Sequence, residues 1–156
     1  MIVIGIDPGL ARVGYGVIAV TNRKPQPICY GCIETGKDLR ASERLVQIYN
    51  ELTVVFEKYP PAEVAVEKLF FSKNITSAMN VSEARGVILL LAEQQKIPVS
   101  EYTPNQVKQA ITGSGSADKR QMQEMIMRLL HLPEIPKPDD AADGLSIALC
   151  HIHMMR

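Results

Sequence analysis

The apolar residues of this chain alternate between two periods, and the switches mark its elements. Ile2-Val3-Ile4-Gly5-Ile6 is a continuous, mostly β-branched run that stops at Asp7-Pro8-Gly9, the pattern of a buried strand entering a turn. A second strand is predicted over residues 12–20, with Gly14 and Gly16 where another backbone or a ligand can approach closely. A third follows over residues 28–34. The connections around Pro8-Gly9 and residues 22–27 are short, so the three strands should form an antiparallel meander. The period then lengthens. Leu45, Ile48, Tyr49, Leu52, Val55, Phe56 and Tyr59 recur about every 3.6 residues, which predicts one apolar helix face over residues 42–59, stopped by Pro60-Pro61. Strands are predicted again at residues 63–69 and 99–102. The helical links around them imply parallel pairing with the first strand.

The link between those two strands is a long helix over residues 76–95. Its middle, Val87 to Ala92, is apolar nearly all round and therefore needs cover on two sides. The sheet supplies one; a partner subunit or a second helix of the same chain would supply the other. Pro104 opens a short helix that ends near Gly113, and a Gly-Ser loop follows over residues 113–116. Asp118 is placed as the N-cap of a helix carrying Met122, Met125, Ile126 and Leu129 on one face, a core stripe. A proline-rich connection over residues 133–138 leads to a final helix over residues 139–153. The fold class is α/β: a mixed five-stranded sheet, three antiparallel strands and then parallel ones, with helices on both faces.

Composition bounds this picture. At 156 residues and 46% hydrophobic, residues 1–156 are expected to form one domain with a full core. No unbroken apolar stretch of about 18 residues is present, so no membrane span is predicted, and the first residues show no basic segment or cleavage site; a cytoplasmic chain is expected. The 17 basic and 17 acidic residues balance, which neither indicates nor excludes nucleic acid, because a basic surface can lie opposite an acidic pocket. Cys29 and Cys32, with Cys150, His151 and His153, could be read as a zinc site. Against it, residues three apart on a strand point to opposite faces, so reduced, buried thiols are the favoured reading.

The acids carry the chemistry. Glu67 ends its strand much as Asp7 ends the first, and strand parity puts Glu67 on the face of Ala65, away from Val64 and Val66. If the two strands are parallel neighbours, both carboxylates emerge at one sheet edge, where α/β folds place their sites. Asp140 and Asp143 share one side of the last helix, off its stripe of Ala141, Leu145, Ala148, Leu149 and Ile152; Ile147 lies on their side, and Asp139 is placed as N-cap. Singly, each acid has an ordinary use in a turn, at a solvated strand end or beside a helix dipole. Together they would repel: two unit charges about 4 Å apart cost about 4 kcal/mol at an effective dielectric of about 20. A cluster therefore implies cations, and oxygen-only ligands favour Mg²⁺ or Mn²⁺. Two such ions activate a water and stabilise the leaving oxygen of a phosphodiester.

These residues resemble a known family. The opening GIDPG with GYGVI after it, Glu67 followed by Phe70 and Lys73-Asn74, the segment Pro104-Asn105-Gln106-Val107-Lys108, and the closing DDAADGLSIAL are similar, in matching order and nearly end to end, to the RuvC family of bacterial Holliday-junction resolvases. The resemblance implies a ribonuclease H-like fold, a homodimer, and Mg²⁺-dependent hydrolysis of two symmetry-related strands of a four-way DNA junction. The family's acidic positions fall on Asp7, Glu67, Asp140 and Asp143. The third is Asp in some members and His in others. Asp7 would be the central ligand of two ions. The junction-contacting aromatic matches Phe70, and two functional lysines match Lys108 and Lys119. Lys119 would neutralise charge in the transition state, Lys108 and Lys73 would hold the DNA backbone, and Phe70 would wedge into or stack on unpaired bases. The resemblance also implies partnership with the RuvA–RuvB branch-migration machinery and a place with the nucleoid. The sequence closes three residues after His153, without the basic tail some members carry. DNA affinity is then expected to rest on lysines around the cleft and to fall steeply with salt.

Three other readings compete. A RuvC-like nuclease acting on RNA would share the fold; Lys108 and Phe70 in their contexts argue against it. An actin-like ATPase also begins with a similar strand and turn but needs two domains. A non-catalytic junction-binding scaffold would be expected to lack an acid, and all four are present.

Overall fold

The computed structural model describes residues 1–68 and 74–155. Its elements are β1 (Ile2–Asp7), β2 (Arg12–Thr21), β3 (Lys24–Glu34), α1 (Ala41–Lys58), β4 (Glu63–Glu67), α2 (Ile75–Gln94), β5 (Val99–Tyr102), α3 (Pro104–Thr112), α4 (Lys119–Leu129) and α5 (Asp139–Met154). The strands form one sheet in the order β3-β2-β1-β4-β5, antiparallel from β3 to β1 and parallel from β1 to β5. The mixed sheet read from the periodicity is therefore the observed one.

Three readings differ by more than a residue at an element's end or in its cap. β4 stops at Glu67, short of the predicted residues 63–69, with Lys68 already outside the strand. β3 begins at Lys24, so its link to β2 is only Asn22-Arg23, both at positive φ (52° and 62°), the backbone of a tight hairpin turn. Pro25 and Pro27 suggested a loop. They lie in an edge strand, where a missing N–H costs little. Asp139 is not the N-cap of α5; Pro138 is, and Asp139 is the first helical residue. Asp118 does cap α4, accepting from the Gln121 N–H at 2.8 Å.

Strand parity divides the interior into two cores. Ile4, Ile6, Val64 and Val66 face α1 and α2, packing with Ile48, Leu52, Phe56, Ile88 and Leu91. Val3 and Ala65 face the other way, against Leu145, Ala148 and Leu149 of α5 with α3 and α4 outside it. Asp7 and Glu67, two and two residues further along these strands, follow Gly5 and Ala65 onto the α5 side.

α5 lies directly on the sheet because glycines let it. A Cβ at Gly14 would sit 1.9 Å from the Asp140 carbonyl oxygen, and one at Gly5 2.2 Å from that of Gly144. The close approach anticipated at Gly14 is thus made by the backbone of the helix that carries two of the acids. The price of such contact is that α5 is buried nearly all round, from Gly144 to His151, Ile147 included.

α2 packs one side on the first core through Ala84, Ile88, Leu91 and Ala92. α1 lies beside it, linked by a Tyr49–Gln94 hydrogen bond, but leaves its far side open. Ile75, Met79 and Leu90 are exposed there, and a Cβ at Gly86 would meet nothing. By length and composition alone α2 could cross a membrane. It carries Glu83 and Arg85 in its middle, however, and Arg85 forms an ion pair with Glu101 of β5.

Candidate active site

β1 and β4 are parallel with Ile6 opposite Val66, so Asp7 and Glu67 leave the sheet side by side at its carboxyl edge. The first turn and a half of α5 comes down on β2 at the same edge and brings Asp140 and Asp143 to them. One carboxylate oxygen each from Asp7, Asp140 and Asp143 lie within 4.8 Å of one another. Glu67 joins on the other side of Asp7 through a side-chain hydrogen bond. All four acids singled out by sequence therefore meet, with Asp7 in the middle.

The carboxyls of the cluster oppose one another's ionisation. Burial, then the hydrogen bond and charge of Glu67, push the Asp7 carboxyl from 3.8 up to about 8. Burial and the neighbouring Asp7 push Asp143 up to about 7. Glu67 is raised chiefly by burial, while its hydrogen bond to Asp7 and the charge of Lys108 pull it back down. Near neutral pH the cluster therefore holds on to protons that a bound cation would displace. A donor set of carboxylate oxygens, crowded and part-buried, fits a hard divalent ion.

Two of the three lysines singled out by sequence, Lys108 and Lys119, lie beside the acids. Glu67, Asp143, Lys108, Lys119 and Ser146 line one cavity of about 290 Å³, walled by Val107, Met122 and Ile147. Lys119 Nζ lies 2.8 Å from Asp139 Oδ2, and Gln123 donates to Asp139 Oδ1 at 3.0 Å. Asp139 thus tethers Lys119 at the cluster's rim, a partnership across α4 and α5 that spacing alone does not reveal. The hydrogen bond to Asp139 raises the Lys119 ammonium, and the charges of Asp143 and Asp140 add to it. Phe70 and Lys73 lie outside the described residues.

The cysteines do not gather. Cys29 packs on the α1 side of the sheet, while Cys32 Sγ is 3.8 Å from Asp140 Oδ2 on the other. Burial and the Asp140 charge push the Cys32 thiol up to about 11, so it stays protonated. Cys150 is buried in the α5 core, and burial raises it likewise to about 11. His151 is buried and committed elsewhere: Nδ1 is 2.7 Å from the Tyr102 hydroxyl and Nε2 2.7 Å from Glu63 Oε2. This chain ties α5 to β4 and β5, the elements flanking Glu67. Sequence reasoning missed it because its members are 88 and 49 residues apart.

The chain as a whole is similar to known proteins. A family model described as crossover junction endodeoxyribonuclease RuvC matches residues 3–151. A protein of that name from Pseudothermotoga lettingae is 54% identical over 151 residues, covering 97% of this chain and 93% of the relative. Among solved structures, T. thermophilus RuvC in complex with Holliday junction substrate superposes with a TM-score of 0.93 at 37% identity, covering 100% of this chain and 95% of that one. The yeast mitochondrial Holliday junction resolvase Ydc2 superposes with a TM-score of 0.68 at 17% identity, covering 97% and 78%, a likeness of fold. The fold is ribonuclease H-like, as the sequence resemblance implied. With a family model spanning nearly all of its length and a relative this similar over 151 residues, the chain belongs to the RuvC family of crossover junction endodeoxyribonucleases.

Proposed function

We propose that this protein resolves four-way DNA junctions by hydrolysing two symmetry-related phosphodiesters, with Mg²⁺ held by Asp7, Glu67, Asp140 and Asp143. The observation that carries the reading is the convergence of those acids: three within 4.8 Å of one another and Glu67 bonded to the central one. Mn²⁺, with the same preference for oxygen, would substitute. Bound divalent ions supply an activated water and charge stabilisation at the leaving oxygen.

The chain's own residues do the rest. Asp7 touches Glu67 on one side and Asp143 on the other, so it alone among the acids serves both halves of the cluster. Its position is rigid because β1 is the central strand. Lys108 faces Glu67 across the cavity and holds the DNA backbone there. Lys119, kept beside the cluster by Asp139, releases that carboxylate to meet the phosphate as negative charge develops. Phe70 stacks on or wedges between bases at the crossover, and Lys73 adds a backbone contact.

Two cuts related by a two-fold axis need two sites related by the same axis, so the working unit is a homodimer. Its interface is the open side of α2. Ile75, Met79, Gly86 and Leu90 fall on one stripe there. Gly86 costs a helix about 1 kcal/mol relative to Ala, and a Cβ would have open space in this chain, so its use is close approach by a partner helix. The protein acts as a single domain in the cytoplasm at the nucleoid and receives junctions from RuvA–RuvB.

The test is Mg²⁺-dependent cleavage of a synthetic four-way junction beside linear duplex and an RNA–DNA hybrid. Junction-selective cutting is expected. Equal cutting of the hybrid would favour the RNA-directed alternative, and binding without cutting the scaffold.

A further inference from the structure

The cations around the acid cluster approach from opposite sides. Lys108 and Lys119 share the cavity with Glu67 and Asp143, on the α3 and α4 side. Arg12, the first residue of β2, stands on the other flank. Its Nη1 is 3.6 Å from Asp140 Oδ2, and its Nη2 is 3.6 Å from Glu34 Oε1. Both separations exceed the roughly 2.7–2.9 Å of a charge-assisted hydrogen bond. The guanidinium is drawn between two carboxylates and bonded to neither, and its side chain is 57% exposed.

Its backbone, by contrast, is held firmly. Thr35, a buried polar residue, donates its hydroxyl to the Leu10 carbonyl at 2.8 Å and approaches that of Ala11 at 3.3 Å, while its N–H donates to Ala11 at 3.0 Å. That clamp fixes the turn between Asp7 and Arg12. The result is a loosely paired head on a fixed base, next to Asp140 of the cluster.

An arginine between two acids is ordinary on a protein surface. The place is what distinguishes this one. Asp140 belongs to the cluster that would hold a cation, and a carboxylate drawn to a cation attracts Arg12 less. The planar fork then has donors to spare, in the geometry that suits a phosphate. A DNA strand laid over the acids would have the two lysines on one flank and Arg12 on the other.

We infer that Arg12 is a backbone-phosphate contact for the strand being cut, on the β-hairpin side of the acids. The inference rests on the acids being the metal site and adds a residue which that reading does not include. Arg12 positions the strand and takes no part in bond breaking.

The test reads binding apart from cutting. On an Asp7→Asn background, junction affinity is measured across a salt series for Arg12, Arg12→Gln and Arg12→Lys. One phosphate contact contributes about 0.9 to the slope of log K against log salt. Arg12→Gln should lower the slope by about one and weaken binding by about three- to tenfold at roughly 0.1 M salt. Arg12→Lys should keep the slope. In the enzyme with Asp7 intact, Arg12→Gln should raise KM more than it lowers kcat. An unchanged slope and affinity overturns the inference, leaving Arg12 a surface charge. So does a lower Mg²⁺ requirement with unaltered junction affinity, which would make Arg12 merely a counter-charge to Asp140. If Asp7→Asn alone still cuts, the site reading falls and this one with it. If Asp7→Asn is inert and the slope does not move, only the Arg12 assignment falls.

Discussion

Asp7→Asn should abolish junction cleavage and at the same time stabilise the metal-free protein at alkaline pH. The magnitude follows from the cluster. Burial and Glu67 displace the Asp7 carboxyl from 3.8 to about 8. A group raised in the folded state favours folding below its unfolded value and loses that contribution as pH climbs through the folded one. For Asp7 the loss therefore runs from about pH 4 to about pH 8. At about 1.4 kcal/mol per pKa unit, the whole displacement corresponds to an upper bound of about 6 kcal/mol. Asp7 shares one proton with Glu67, so the part removed with Asp7 alone is smaller, on the order of 2–4 kcal/mol. An asparagine amide can donate to Glu67 as the protonated acid does, without the charge. For a chain of this length, that corresponds to roughly 5–15 °C in Tm. Thermal unfolding in chelator at pH 8.5 and pH 5 measures it. The variant should melt well above the parent at pH 8.5, and the gap should close at pH 5, where Asp7 already holds its proton. Mg²⁺ should narrow the gap at pH 8.5 by stabilising the parent more. A variant no more stable than the parent at pH 8.5 would refute the crowding, and with it the physical argument that the acids require cations.

Other outcomes follow from the same geometry. Gly14→Ala puts a methyl where the Asp140 carbonyl stands, 1.9 Å away, so α5 must shift; calorimetry should show about 1–3 kcal/mol of destabilisation and the Mg²⁺-induced rise in Tm should vanish. His151→Leu removes one hydrogen-bond partner from the buried Tyr102 hydroxyl and one from Glu63, at about 1–3 kcal/mol in denaturant unfolding; no change in midpoint would mean the chain of hydrogen bonds is idle. Leu90→Glu on the open side of α2 should turn a sedimenting dimer into a monomer without lowering the Tm of the subunit, whereas a variant that still sediments as a dimer would move the interface elsewhere.

The acids were legible because strand parity and helix spacing are local properties. Glu67 followed Ala65 to the α5 face, and Asp140 and Asp143 kept to one side of their helix. Gly14 was legible as a point of close approach, though not what would approach it. Asp139 was misplaced because a cap and a first-turn residue differ by one position, and its real partner, Lys119, comes from another helix. β3 was read short because proline signals a loop unless the strand is known to be an edge, and edge position is a property of the whole sheet. Arg12 gave no local signal, and the spacing of Cys29 and Cys32 suggested zinc and nothing of Asp140; both Arg12 and Cys32 lie beside the cluster only because α5 sets Asp140 down there.

If two subunits pair through α2 as proposed, the sheet separates two tasks. α2, with its open apolar stripe, lies on one face over the first core, and the acids lie at the edge of the other face, beside the second core. Damage to one core need not reach the other. A subunit that cannot pair could therefore keep a complete cutting site and release nicked junctions instead of resolved ones. A dead subunit could still pair and limit its healthy partner to one strand. Mixed dimers built on this division would count the cuts per encounter and show whether the second incision waits for the first.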